Sequence, residues 1–172
     1  DNTFHYLNEI PFADHGALID PPTSDVTARC IGFLGKYGKP HHQHAVLRGI
    51  SFLLREQEPN GAWFGRWGTN YIYGTWSVLE AMQLAKQDMN QPAMQRAVQW
   101  LKSVQRADGG WGESNDSYLD PKLAGQFVET STAFQTAWAI LGLMAAGEVN
   151  SESVRRGVNY LLRSQSSDYL WE

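Results

Sequence analysis

The sequence predicts an all-helical fold built from three repeated helix pairs. Two observations carry this. One is a pattern of fixed offsets that recurs three times. The other is that apolar residues return at spacings of three and four, with no sustained strict alternation of the kind a half-buried strand needs.

The repeat is read by aligning Arg48, Arg96 and Arg156. A small residue follows each: Gly49, Ala97, Gly157. At offset four stands an aromatic (Phe52, Trp100, Tyr160), and at offset five a leucine (Leu53, Leu101, Leu161). Offset nine is Gln57, Gln105 and Gln165, and offset fifteen is Trp63, Trp111 and Trp171. Gly61 and Gly109 hold offset thirteen in the first two copies, and Tyr169 holds it in the third, which is degenerate there. Each Arg-to-Gln stretch reads as one helix, ended by the Gly-Trp turn.

Between the copies lie more apolar segments, "SDVTARCIGFLGKYG", "GTWSVLEAMQLA" and "TSTAFQTAWAILGLMAAG". Their periodicity is that of buried helices. They place inner helices near residues 24–36, 72–86 and 130–146, with capping oxygens at Ser24-Asp25 and around Thr130-Ser131-Thr132. The unit is thus a helix pair of about 50 to 60 residues, used three times. A Gln side chain is long enough to reach free backbone groups at a neighbouring helix end. A Trp after Gly can fold back onto that amide. The spacing therefore reads as a structural clasp on the rim, tying one helix pair to the next.

Composition narrows the function. The chain is 42% hydrophobic and 19% charged, so it buries a core and does not stay disordered. Its net charge of −4, with no basic patch, argues against nucleic acid as a partner. Cys30 is the only cysteine, which excludes an internal disulfide, fits a reducing compartment and reads as a small buried hydrophobe. The longest apolar run, Ala137 to Gly147, is about half the roughly 20 residues a spanning helix needs. His41, His42 and His44 make an incomplete metal set, and a solvated helix start is the better reading. Asp116 and Asp120 read as turn residues in "ESNDSYLDP". The chain opens at Asp1 and stops in mid-pattern at "SSDYLWE", so residues 1–172 are expected to be a partial domain with both ends truncated.

The Gln-Trp repeat resembles the QW motif of triterpene cyclases. "DPPTSDVTAR" (Asp20 to Arg29) and "WFGRWGTNYIYGT" (Trp63 to Thr75) are similar to squalene–hopene cyclase segments, in the same order, and "DNT", "IPFADHG" and "GGWGES" agree. The resemblance covers essentially the whole chain. It implies an α/α toroid, of which this chain is about half of one (α/α)6 barrel with three helix pairs, the Arg-to-Gln helices outside.

The resemblance also implies a chemistry. Such enzymes protonate a terminal alkene of squalene or another linear polyprene and steer the cation through ring closures. The family's acid lies in a DxDD motif, which does not occur in this sequence. The isolated chain is therefore expected to be inactive. Asp25 and Arg29 match positions that support the acid, and Arg29 stands where a His is often described. Their spacing of four also fits an ordinary intrahelical salt bridge. Tyr73 matches a residue that reaches the acid cluster and helps reprotonate it. Trp67 matches a pocket aromatic whose π face stabilises a carbocation. Phe12 and Ala13 match a constriction of the substrate channel, and His15 stands where an aromatic is more usual. No metal or other cofactor is implied. A lipophilic polyprenyl substrate, a cytoplasmic, peripheral-membrane location and a homodimeric parent enzyme are. Protein prenyltransferase β subunits share the toroid, but Cys30 lacks the zinc set they need. The alternative from another class is a non-catalytic helical toroid used as a scaffold or binding module.

Overall fold

The computed structural model describes residues 21–126 and 130–171. Six α-helices carry the fold: α1 (Ser24–Tyr37), α2 (Gln43–Arg55), α3 (Tyr71–Leu84), α4 (Pro92–Ser103), α5 (Ala133–Ala145) and α6 (Glu152–Ser164). Among the described residues the only β pairing is one isolated bridge, Trp111 to Thr132. The three apolar helices α1, α3 and α5 lie side by side, with α3 in the middle. Helices α2, α4 and α6 pack outside them, so the chain alternates inner and outer as the repeat requires.

Burial explains the different sequences of the two layers. The middle inner helix is enclosed on nearly every side, with Tyr71, Ile72, Gly74 through Leu79, Ala81 and Met82 buried. It has little use for an amphipathic pattern. The outer helix α2 buries only Ile50 and Leu53, and most of its remaining surface is exposed, Leu47 and Leu54 included. The inner helices begin and end close to expectation. Thr23 and Thr132, one step before the helices, are the N-cap residues of α1 and α5. Thr132 accepts from the N–H of Gln135, which starts α5 three residues later than the sequence pattern placed it.

Each outer helix starts upstream of the repeat's Arg and stops before its Gln, leaving the amide free to bond outward. Gln57 Nε2 donates to Gly61 O at 2.9 Å and to Ala93 O, in the first turn of α4, at 2.7 Å. Gln105 repeats this with Gly109 O and Ser153 O, both at 2.8 Å. The Arg of the next copy closes the join. Arg96 donates to Gln57 Oε1. Arg156 donates to the carbonyls of Arg106 and Ala107 at 2.6 and 3.1 Å.

The indoles sit elsewhere than the rim. Trp63 and Trp111 are fully buried core residues. Their Nε1 atoms donate to Leu53 O at 2.7 Å and Leu101 O at 2.8 Å, at the end of their own outer helices. Their backbone N–H groups donate to Thr75 Oγ1 at 3.0 Å and Thr136 Oγ1 at 2.9 Å on the following inner helix. Each Trp therefore joins an outer to an inner helix while filling the space between them, and a buried indole needs such an acceptor. In the third copy Trp171 Nε1 still donates to Leu161 O at 2.9 Å, yet the ring is 46% exposed.

The turn before each Trp requires a left-handed residue. Gly61 and Gly109 have φ of 97° and 94°, and a Cβ on Gly61 would stand 2.7 Å from Arg96 O. Tyr169 adopts φ 65° in the third copy, so the turn survives there in a residue that pays steric strain for it.

Three sequence readings of side residues can be compared with the structure. Cys30 is exposed, not buried: Val26, Cys30, Phe33 and Tyr37 all lie exposed along α1 at helical spacing. His42 Nδ1 accepts from the N–H of Lys39 at 2.9 Å, closing the 3-10 turn that leads into α2. Asp120 Oδ1 accepts from the N–H of Lys122 at 2.9 Å, as a turn residue does.

Candidate functional site

The site grows from the N-terminus of α1. Asp25, in its first turn, is fully buried. Its Oδ1 accepts from Thr23 Oγ1 at 2.6 Å and from the Val26 N–H at 3.0 Å. Its Oδ2 accepts from the N–H of Trp67 at 2.7 Å. Three donors and a helix N-terminus offset the cost of burying this carboxylate. The Trp67 backbone is thus pinned while its ring stays 52% exposed. Arg66 lies against that ring, with Cζ 5.5 Å from the centroid.

The loop that presents Trp67 is held from its other side by Tyr118. The Tyr118 hydroxyl donates its one hydrogen to Gly68 O at 2.7 Å, with Arg66 O at 3.3 Å as the weaker, shared acceptor. Burial pushes this phenol's pKa above its ordinary value, and the charges of Asp25, Glu113 and Tyr73 add to the rise, against a hydrogen bond with Thr69 that lowers it. The loop also lies close on Tyr73: a Cβ at Gly68 would stand 2.7 Å from the Tyr73 ring. Only glycine allows that approach.

Asp25 and Arg29 do not form the intrahelical ion pair that their spacing also allows. Asp25 bonds to Thr23, Val26 and Trp67 instead, and the exposed Arg29 turns onto aromatic faces. Its Cζ is 4.4 Å from the Trp76 ring centroid and 5.8 Å from that of Tyr73. Such contacts attract the cation electrostatically and leave the N–H groups at the guanidinium edge free to donate elsewhere.

Behind Arg29 the inner helices build an aromatic wall. Trp76 of α3 and Trp138 of α5 stack with centroids 5.7 Å apart and an interplanar angle of 8°. Tyr73 packs on both, at 5.9 and 5.1 Å, and Phe134 meets Trp138 edge-on at 5.1 Å. The structure thus joins Asp25 to the Trp67 backbone by one hydrogen bond and Arg29 to Tyr73 by one cation–π contact, the two pairs sharing α1. Phe12, Ala13 and His15 lie outside the described residues. Trp76, Phe134, Trp138 and Tyr118 were missed by the sequence reading. Trp76 follows Tyr73 by three and Trp138 follows Phe134 by four, so asking which aromatics share a face of the two apolar helices finds the wall.

A second buried carboxylate lies at the start of α3. Glu113 is 4% exposed. Its Oε2 accepts from the N–H groups of Asn70 at 3.2 Å and Ile72 at 3.0 Å, and its Oε1 from that of Gly125 at 3.2 Å. Among the described residues no group of three or more His, Cys, Asp or Glu is placed to hold a metal ion, and no helix is long and apolar enough to cross a membrane.

The profile of the squalene-hopene cyclase C-terminal domain matches residues 1–172. The squalene–hopene cyclase of Zymomonas mobilis is 53% identical over 173 residues, covering 100% of this chain and 26% of that protein. The one from Bradyrhizobium diazoefficiens is 51% identical over 174 residues, with 100% and 26% coverage. The chain thus spans about a quarter of the length of these relatives. Among solved structures, the ent-copalyl diphosphate synthase of Streptomyces platensis superposes with a TM-score of 0.68 at 23% identity, over 86% of this chain and 28% of that one. That likeness is one of fold.

Proposed function

Since the chain belongs to the squalene-hopene cyclase C-terminal domain family, we propose that it is a segment of an enzyme that cyclises squalene to a pentacyclic triterpene. The reaction begins with protonation of a terminal alkene. A proton from a carboxylic acid adds to one alkene carbon and leaves a tertiary cation at the other. Successive double bonds attack that cation, each forming a ring bond and moving the charge along, until a proton is lost or water is captured. The acid belongs to a DxDD motif elsewhere in the parent protein, and this chain supplies the surroundings of the acid and part of the pocket wall.

The observation that carries the reading is the join of Asp25 to Trp67, with Arg29 laid on Tyr73 and Trp76. Arg29, with a permanent charge, holds one carboxylate of the acid cluster ionised and orients the other as donor. Trp67 presents a π face that stabilises cationic intermediates without capturing them. Tyr73 faces the acid cluster and returns a proton to it. Asp25 fixes the loop that carries Trp67. Phe12 and Ala13 form a constriction on the substrate's path. The QW residues Gln57, Trp63, Gln105, Trp111, Gln165 and Trp171 hold the helix pairs together and take no part in the chemistry. A substrate as apolar as squalene is drawn from a lipid bilayer, so the parent enzyme works as a peripheral protein at a membrane surface.

The test is incubation of the full-length parent with squalene in detergent, with extraction and analysis for cyclic products. Hopene or a related pentacycle is expected. Quantitative recovery of unreacted squalene, or cyclisation undiminished when Asp25, Arg29 and Trp67 are all replaced, contradicts the reading.

A further inference from the structure

We infer that Glu113 is a positioning residue of the cyclisation site, acting through the first turn of α3 on Trp67 and Tyr73. The inference rests on the cyclase reading above.

The argument begins with a cap that is missing in its usual form. Asn70 is the N-cap residue of α3, yet its side chain makes no capping bond. It is engaged elsewhere: Oδ1 accepts from the Gly65 N–H at 3.2 Å, and Nδ2 donates to Ser117 Oγ at 3.2 Å. The first N–H groups of a helix need an acceptor when buried. Glu113 supplies it from forty-one residues further along the chain, taking the N–H groups of Asn70 and Ile72 on one oxygen. A carboxylate is well suited to that place because it also meets the positive end of the helix dipole.

Glu113 is itself held rigidly. Gln135 of α5 accepts from its N–H at 2.9 Å and donates to its carbonyl at 3.1 Å. The same amide reaches Thr69 O at 3.4 Å. The Glu113 second oxygen takes the Gly125 N–H. A continuous polar path therefore runs from α5 through Glu113 to the start of α3. Asp25 on α1 holds the same loop at Trp67. The segment from Trp67 to Ile72 is fixed at both ends by buried carboxylates on different structural elements. Tyr73 is the next residue, one peptide beyond an N–H that Glu113 holds. A shift of this turn moves the Tyr73 ring and, through it, the seat of Arg29.

Glu113→Gln tests this with almost no change of volume. The amide keeps one acceptor oxygen but turns an NH2 group toward either the Gly125 N–H or the Asn70–Ile72 pair, so one side of the clamp opens. In the full-length protein, assayed well below the variant's own Tm, kcat is expected to fall about tenfold with KM within about twofold, because misplacement acts in the transition state. The share of incompletely cyclised products should rise, and amide exchange at Asn70 or Ile72 should speed up. Gln135→Met loosens the same clamp without touching the carboxylate and is expected to shift products the same way, to a smaller degree. It serves as the test if Glu113→Gln does not fold. A purely structural Glu113 lowers Tm and the active fraction but leaves KM, product ratios and turnover per folded molecule unchanged, and that result overturns the inference. A wild-type parent that cyclises nothing overturns the cyclase reading instead, and the clamp then stands or falls on amide exchange alone.

Discussion

The backbone N–H of Trp67 donates to Oδ2 of Asp25 at 2.7 Å, across forty-two residues of sequence. The contact joins the start of the first inner helix to the loop that leads into the second. It fixes the backbone of an aromatic residue whose ring remains half out in the open. The carboxylate and the indole are thus one assembly, and their substitutions should give different signatures.

Asp25→Asn keeps the shape but replaces one acceptor oxygen with a donor. The bond to Trp67, or the pair from Thr23 and Val26, is lost. We expect a loss of about 1–3 kcal/mol in stability and, in the full-length enzyme, a fall in turnover on the order of 100-fold. Circular dichroism should remain that of the folded protein. Comparing denaturant midpoints with turnover numbers checks this.

Trp67→Ala removes a ring that is half exposed and lies against Arg66. Stability should fall by about 1 kcal/mol, the ordinary cost of a point substitution. Turnover should fall, and products should shift to truncated or early-deprotonated species, because cation stabilisation is lost after protonation. Chromatography of the product mixture reads this directly. Trp67→Phe should fall between the two.

The repeat turns allow a test of opposite signs. Gly109→Ala forces a Cβ onto a residue at φ 94°, with Arg156 O 2.7 Å from it. We expect a loss of about 1–3 kcal/mol. Tyr169 already sits at φ 65° with a side chain that is 78% exposed. Tyr169→Gly should relieve strain and be neutral or stabilising by up to about 1 kcal/mol. Urea unfolding of both variants measures the contrast.

Tyr71 makes the protein sensitive to alkali. Burial, followed by the charges of Glu58 and Glu113, pushes its phenol up to about 12 from the ordinary 10.0. Since the folded state holds this proton more tightly than the unfolded one, the stabilisation is complete below pH 10. It is lost as pH rises from about 10 to 12, by on the order of 2–3 kcal/mol. Tyr71→Phe should flatten that part of the stability–pH curve, as followed by denaturation between pH 9 and pH 12.

The helical architecture was legible because it repeats. Offsets that recur three times specify an element pair, and an apolar period of three and four assigns the inner layer without knowledge of packing. The fixed spacing marked the QW residues as candidate ties, but the position of the indoles was not legible. Nothing in a linear spacing says whether a Trp after a left-handed Gly turns to the rim or, as Trp63 and Trp111 do, into the core. Cys30 shows the same limit, since which side of α1 is covered depends on helices far away in sequence. Asp25, Arg29, Trp67 and Tyr73 stood out as candidates because those residues lie in two dense strings. Glu113 did not, because its partners at Asn70, Ile72 and Gly125 belong to three separate segments, and a carboxylate in "GGWGES" carries no sign that it caps another helix.

The most direct test compares the full-length parent with the isolated 172-residue chain, each incubated with squalene in detergent and analysed for cyclic products. An alkene is a very weak base, so its protonation needs a strong acid held in a dry, preorganised cavity. This chain contains no DxDD acid. The account predicts pentacyclic product from the full-length protein and none above a no-protein blank from the isolated chain. Hopene from the isolated chain, or none from the full-length protein, contradicts it.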